Sequence, residues 1–501
     1  MKKKFLFLLI IIGVIQLNTS CKKSFLEVSP KGIVLESNYY QNADQAFAGL
    51  ISVYNPLGWE TGGGDNTYID DLGALNAASD ECYAGGGGAT DMSTWQAMNN
   101  YTVNATTGPQ AGFWSKYYTG IYRANLLLQK INGGIPGLTD AVKTRYIAEV
   151  KFLRAYYYFG LVRLFKNVPL FTDPVPTSEI YTVTQAKPEA VWAQVEKDLT
   201  DAIAGLPSVV PTTDNGRVTK GAAQALMGKA ILYQNNTARM TEAANYFEQV
   251  NTSPNYGLLS DFGAIFSPDN KFNKESIFEI YHTETQKADW GGWNTFLGNL
   301  YVNEIGPRSY NGPTYASTGW SFNPIISAFA DVMRTDPRYK YTVANIDSIV
   351  NAAPGRSYVK GYMNTGYFIQ KYAPLAQYVA SPVTELNFKN DYIEIRLADT
   401  YLMEAEALVR SGTVGKAQFY LDAVRARVGL PSVTATLDNI YNERKFELAT
   451  EGHRWYDLVR TGQAATVLAF KGFTANKNEL LPIPLKDLNN TKLIQNPGYL
   501  K

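Results

Sequence analysis

The sequence predicts a mostly α fold: a stack of antiparallel helical hairpins with a loop-rich side that holds a few short strands. Three observations carry this. Apolar residues recur at steps of three and four over several long segments. Those segments stop at glycine or proline. Two long stretches without any such period are rich in Gly, Asn and aromatic residues.

Taken in order, Lys2-Lys3-Lys4 is a basic start and Phe5 to Ile15 an uncharged apolar run, shorter than the ~20 residues of a membrane span. Small residues, Thr19-Ser20, precede Cys21. Residues 1–20 therefore read as a secretory signal of the lipoprotein type, with Cys21 as the lipid-bearing residue and 21–36 as a tether. Asn18 departs from the aliphatic residue usual three before such a cysteine. Lipidation of Cys21 leaves Cys82 unpaired and buried, since two cysteines make no disulfide framework.

The N-terminal half spans 37–255. Ser37 to Tyr54 has a helical face of Ala43, Phe47, Leu50 and Val53, with Ser37 or Asn38 as its cap. Residues 55–109 form a long irregular stretch with Gly62-Gly63-Gly64 and Gly85 to Gly88, and loops of that length are usually functional. Phe113 to Ile131 and Thr139 to Phe165 are helical, the second apolar almost all round and so deeply buried. Pro188 suits the first turn of the next helix, which Leu206-Pro207 stops. Lys220 to Tyr233 is Ala-rich, as close helix packing requires, and Thr241 to Val250 follows. The region 256–390 is loop-rich, with short strands expected at Ser276 to Tyr281 and Tyr367 to Tyr372.

In the last region, 391–501, Leu397, Tyr401, Ala405 and Leu408 define one helix, and Ala417, Leu421, Val424 and Val428 its antiparallel partner. One hairpin cannot bury both faces, so neighbours of the same kind are implied at 113–165 and 188–250. The pattern is tetratricopeptide-like, although no repeat consensus is legible. Beyond it, Glu443, Glu447 and Glu451 line one edge of a helix, with Arg444, Arg454, Asp457 and Arg460 interleaved. Like charges at steps of four repel, so these glutamates need cations. Gly452 is expected to break the helix and fold Arg454 back toward them. The rival reading, a pair of catalytic carboxylates, needs one carboxyl kept protonated. Arginines at this density depress carboxyl pKa values instead.

The run ERKFELATEGHRWYDLVR, preceded by RLADTYLMEAEAL and followed by LLPIPLKDLNNTKLIQNPGY, strongly resembles the C-terminal region of the SusD/RagB family. KSFLEVSPKG, LNAASDECY and WQAMNNYT resemble its post-anchor and ligand-loop segments. The resemblance implies a lipid-anchored, outer-membrane nutrient-binding protein, exposed at the cell surface. Such a protein captures oligosaccharide and passes it to a SusC-like TonB-dependent transporter.

Composition agrees with a surface binder. Net charge is +1, so no bulk field favours nucleic acid. Aromatics reach 13%, with 34 Tyr, and tyrosine suits surfaces that touch sugars. Trp59, Trp95, Trp290, Trp293 and Trp320 fall in the two loop-rich stretches, where burial is hardest. A pyranose stacks its apolar face on such rings while Asn, Asp and Arg bond its hydroxyls. The candidate ligand residues are Asp65, Tyr68, Trp95, Asn99, Trp290, Trp293, Arg308, Tyr315 and Trp320, with Asn294 and Asn311 beside them. Each tryptophan has a competing reading as packing between loop and scaffold.

Enzyme signatures are missing: the two histidines lie far apart, and no HExxH, GxSxG, CxxC or nucleotide glycine fingerprint occurs. No cofactor is expected. Oxygen ligands at Asp269-Asn270 or Asp65 to Asp71 leave a structural calcium open but unplaced. Three alternatives stay beside the glycan reading: a surface glycoside hydrolase, a peptide-binding relative of the same uptake family, and a helical scaffold that binds only protein.

Overall fold

The computed structural model describes residues 39–61, 71–285, 289–290, 297–489 and 491–500. Cys21 and its tether lie outside them. Among the described residues, the α-helices of seven residues or more are α1 (Ala43–Tyr54), α2 (Asp71–Ala78), α3 (Ser93–Asn99), α4 (Gln110–Gly133), α5 (Asp140–Phe165), α6 (Pro188–Gly205), α7 (Lys220–Tyr233), α8 (Met240–Asn251), α9 (Ser327–Met333), α10 (Leu397–Arg410), α11 (Val414–Arg427), α12 (Leu437–Glu447) and α13 (Arg454–Arg460). Six short strands pair two by two, all antiparallel: β1 (Ser276–Ile280) with β6 (Tyr392–Arg396), β2 (Arg308–Asn311) with β4 (Ser357–Val359), and β3 (Val343–Asn345) with β5 (Tyr367–Ile369).

Chain order is spatial order along the scaffold. Helix α4 packs on α5, α5 on α6, α6 on α7, α7 on α8, α8 on α10 and α10 on α11. The direct α8–α10 contact means that the chain leaves the stack after Asn251, builds the loop-rich region, and re-enters beside its point of departure. Strand β6 is that return. The segment Tyr392–Arg396 pairs with β1 before the helix begins, so the helical periodicity starts only at Leu397.

Local chemistry explains the ends. Thr139 accepts from the Val142 amide at the start of α5, and Pro188 opens α6. Helix α1 starts later than its sequence face suggests, because Asn42 caps it by accepting from the Gln45 amide. Its buried side is Ala46, Leu50 and Val53, while Phe47 sits at the rim beside Tyr146. Close packing of α4 on α5 is reciprocal: Gly120 receives the Tyr157 ring and Gly160 the Tyr117 ring. A Cβ at either glycine would collide with that ring. Tyr156, Tyr157, Tyr158 and Phe159 are all buried, as the all-round apolar pattern of α5 requires. Cys82 is a buried free thiol.

The charged edge of α12 becomes a buried ion-pair cluster, with partners drawn from far along the chain. Arg338 bonds Glu443 at 2.6 Å, Glu447 at 2.8 Å and Asp336 at 2.7 Å. Arg396, at the end of β6, bonds Glu275 at 2.9 Å, Glu447 at 2.6 Å and Glu451 at 2.7 Å. Lys371 holds Glu451, Arg425 holds Glu443, and Arg427 holds Glu275 and Glu447. Five cations thus meet five carboxylates. Arg454 is the exception to expectation. The helix ends at Glu447, before Gly452, so Glu451 lies in the turn beyond it, where Thr450 and Gly452 have φ +66° and +79°, and Arg454 turns to Asp80 at 2.7 Å instead of the glutamates. It thereby ties α13 to the segment after α2.

Burial opposes ionisation of Glu447 and Glu451. The arginines outweigh it and hold Glu447 well below the usual carboxylate range and Glu451 below it as well. His453 is buried and lowered to about 4, by desolvation first and then by Lys229, so it is neutral at pH 7. Lys229 itself pairs with Asp399 at 3.3 Å inside the stack. These groups brace the scaffold to the loop-rich region.

Candidate functional site

The two loop-rich stretches meet on one seam. Cys82 bridges to Ile325 and Gly85 to Phe322 as short antiparallel contacts. The Gly86 amide donates to the Ser321 carbonyl at 2.8 Å, and the Tyr362 amide to the Gly86 carbonyl at 2.7 Å. Glycine is needed here for two reasons. Gly85 and Gly86 have φ of +72° and +88°, and a Cβ on either would strike Pro324 or Phe322. The Gly85–Gly88 run is thus the hinge line where sequence-distant loops zip together.

On this seam Trp290 and Trp320 stack, with ring centroids 6.2 Å apart and planes 18° from parallel. Trp290 is 43% exposed and Trp320 half-buried. Trp320 is fixed on several sides. Its amide donates to the Asn303 carbonyl at 3.2 Å, and its carbonyl accepts from Arg308 at 2.8 Å. The Asn303 carboxamide, with its oxygen turned to the indole, accepts from Trp320 Nε1 at 3.1 Å and donates to Thr318. Leu300 and Leu386 pack beneath. The Arg308 guanidinium also reaches Asp91 at 3.7 Å, and Asp91 accepts from the Gly87 amide at 2.7 Å. The result is an indole platform, rigid at its base, with a guanidinium and a carboxylate at its rim. Such a surface can stack one face of a sugar ring and bond its hydroxyls.

The other candidates are placed differently. Trp95 is corrected to a core residue: it is 1% exposed, meets Phe322 edge-on at 5.1 Å, and fills the space above Gly73. Helix α3, unforeseen in a stretch read as irregular, turns that indole inward. Asn99 is also buried, accepting from the Ala84 amide at 3.2 Å and donating to Asn100. Tyr315 is 4% exposed and spends its hydroxyl on Gln370 at 2.8 Å. Trp59 is 8% exposed under Arg123. Asn311 is exposed and donates to the Gly355 carbonyl at 2.9 Å. Asp65, Tyr68, Trp293 and Asn294 lie outside the described residues.

Of the predicted set, the structure brings together Trp290, Arg308 and Trp320. Sequence reasoning missed Asp91, Asn303 and Ser321. Only Asp91 carried a signal, its place just after the glycine run. Asp269 uses its carboxylate on Lys389 at 2.9 Å and Tyr378 at 2.8 Å, and Asp71 pairs with Lys116 at 2.9 Å. Among the described residues, no cluster of three or more His, Cys, Asp or Glu side chains is arranged to hold a metal.

A stack of α-hairpins whose inserted loops carry an aromatic platform defines the class: the chain belongs to the SusD family. The SusD family model matches residues 307–499, and a second model, described as starch-binding associating with outer membrane, matches 67–232. Among solved structures, a laminarin-binding SusD-like protein is 44% identical with a TM-score of 0.86, covering 92% of this chain and 100% of that one. Surface glycan-binding protein A from Bacteroides thetaiotaomicron, solved with laminarihexaose, is 29% identical with a TM-score of 0.83, over 91% of this chain and 99% of that one. SusD-like protein P25 from Formosa agariphila is 26% identical over 96% of this chain and 97% of its own length.

Proposed function

We propose that this protein binds a neutral oligosaccharide of the laminarin type at the cell surface and passes it, unaltered, to a TonB-dependent outer-membrane transporter. The reading includes anchorage through lipid on Cys21, whose sequence context supports it. The stacked Trp290–Trp320 pair with its Arg308–Asp91 rim carries the ligand part. The exposed Trp290 indole, backed by the half-buried Trp320, suits one pyranose face, and the rim groups suit its hydroxyls. The choice of glucan follows the relatives named for laminarin and laminarihexaose. Trp293, Asp65 and Tyr68, outside the described residues, stay in the proposal on their sequence context.

Hydrolysis is disfavoured by the carboxylates at hand. Retaining or inverting chemistry needs one raised and one ionised carboxyl across a cleft, whereas Glu447 and Glu451 are locked in ion pairs inside the scaffold.

Titration calorimetry with laminarihexaose tests the binding. Trp290→Ala and Trp320→Ala should each weaken it about five- to thirtyfold, since stacking is worth ~1–2 kcal/mol. Unchanged affinity in both would reject the platform. Sustained release of reducing ends from laminarin would reject the pure binder. Co-purification with an outer-membrane barrel, lost when Cys21→Ser prevents anchoring, tests the delivery step.

A further inference from the structure

A second groove, of about 640 Å³, opens between α4, the link 169–183 and the C-terminal segment 486–493. Its lining includes none of Trp290, Arg308, Trp320 or Asp91. The groove is braced on both sides of the link. Gln185 exchanges two hydrogen bonds with the Ile494 backbone, at 2.9 and 3.0 Å, tying the link to the C-terminal segment. Asn125 of α4 donates to the Phe171 and Asp173 carbonyls at 3.0 and 3.3 Å. Tyr118 donates its hydroxyl to the Pro169 carbonyl at 2.8 Å and meets Phe171 edge-on. The site is therefore pre-formed, and its volume lies in the range of small-ligand sites.

Two of its rings are offered to solvent: Tyr122 is 47% exposed and Tyr181 60%. Asp487 lines the groove on its C-terminal side. Burial pushes this carboxyl up, ahead of the opposing effects of Lys486 and Trp114. Aromatic faces alternate with hydroxyl and amide groups such as Thr119, Thr177 and Asn489. Asp173 and Asp487 against a single Lys486 give the lining a slight negative excess, which repels uronates and sulfated sugars.

We propose that this groove is a second carbohydrate-binding site, taking a short neutral oligosaccharide whose rings stack on Tyr122 and Tyr181. On a scaffold that already holds a glucan at its loop platform, two sites let one long chain be gripped twice, which raises apparent affinity for the polymer over the hexasaccharide. The proposal rests on the glycan-binding reading for its choice of probe.

The test uses the full mature chain in four forms: wild type, a groove variant (Tyr122→Ala with Tyr181→Ala), a platform variant (Trp290→Ala with Trp320→Ala), and the combination. Each is checked by thermal melting, then titrated with laminari-, malto-, cello- and xylo-hexaose and with laminarin. The expected result is residual hexasaccharide binding in the platform variant that disappears in the combination. The groove variant alone should lose at least about fivefold in affinity for polymer while keeping the platform's hexasaccharide affinity. The groove is overturned if its variant matches wild type for every ligand and the combination matches the platform variant. It is equally overturned if the groove tyrosines are shielded from labelling only by an outer-membrane protein and never by sugar. Failure of the platform reading looks different: the platform variant then binds like wild type while the groove variant does not. No binding by wild type to any probe rejects both.

Discussion

Arg396→Met removes the charge at the centre of the buried cluster while keeping most of the side-chain volume. Arg396 is 1% exposed and bonds Glu275, Glu447, Glu451 and the Glu447 carbonyl. Without it, four cations face five carboxylates in a region shielded from water. Each orphaned carboxylate keeps another partner: Arg427 for Glu275, Arg338 and Arg427 for Glu447, and Lys371 for Glu451. The loss is thus one uncompensated charge, not three, and breaking a buried pair from one side costs about 3–5 kcal/mol. At about 2 cal/mol/K of unfolding entropy per residue, a chain of this length loses on the order of one degree per kcal/mol, so the melting temperature should fall by about 3–5 °C. Adding Glu275→Gln restores neutrality and should recover at least about 1 kcal/mol, a coupling that additive effects cannot give. The assay is urea unfolding with thermal melting as a check. A single variant that melts within about 1 °C of wild type, or a double variant as unstable as the sum of its parts, refutes the electrostatic account.

Trp95→Ala should destabilise by about 3–5 kcal/mol through cavity formation yet leave sugar affinity of the folded fraction unchanged, whereas Trp320→Ala should do the reverse; urea unfolding beside calorimetry separates them. Gly73→Ala drives a methyl into the Trp95 ring and should cost about 1–3 kcal/mol, a penalty that shrinks in a Trp95→Leu background if the collision is its cause. In acid, the depressed carboxyls set the trend: Glu447 and Glu451 lie below their ordinary values, and Asp457 is lowered to about 2 because Arg444 and Arg460 outweigh its burial. Their contribution is whole above an unfolded pKa of about 4 and is lost as pH falls toward the folded values, so the destabilisation of Arg396→Met relative to wild type, read from urea midpoints, should shrink steeply between about pH 4 and 2.

Much of the scaffold was legible because helix burial is periodic. Pro188 at the start of α6, Gly412 and Gly429 after α10 and α11, and the Ala-rich α7 each follow from local backbone and packing rules. The same rules misplace short elements. Helix α3 has seven residues and buries five of them, too brief to show a period, so no local pattern marks its indole as buried. The ion-pair cluster was half legible: like-charged neighbours at steps of four announce that cations must come from elsewhere, but not that Arg338, Lys371 and Arg396 supply them.

The sequence alone determined the hairpin stack and the need to neutralise the α12 glutamates, because both arise from contacts a few residues apart. Only the tertiary structure decided which aromatic side chains face solvent. Trp95 and Trp320 sit in similar loop-rich surroundings in sequence, yet one is sealed by Phe322 and the other forms a platform with Trp290. That choice depends on the closing of the Gly85–Gly88 run on Ser321 and Phe322, a pairing across more than two hundred residues. Burial of a loop side chain is set by what folds over it, and no local pattern encodes that.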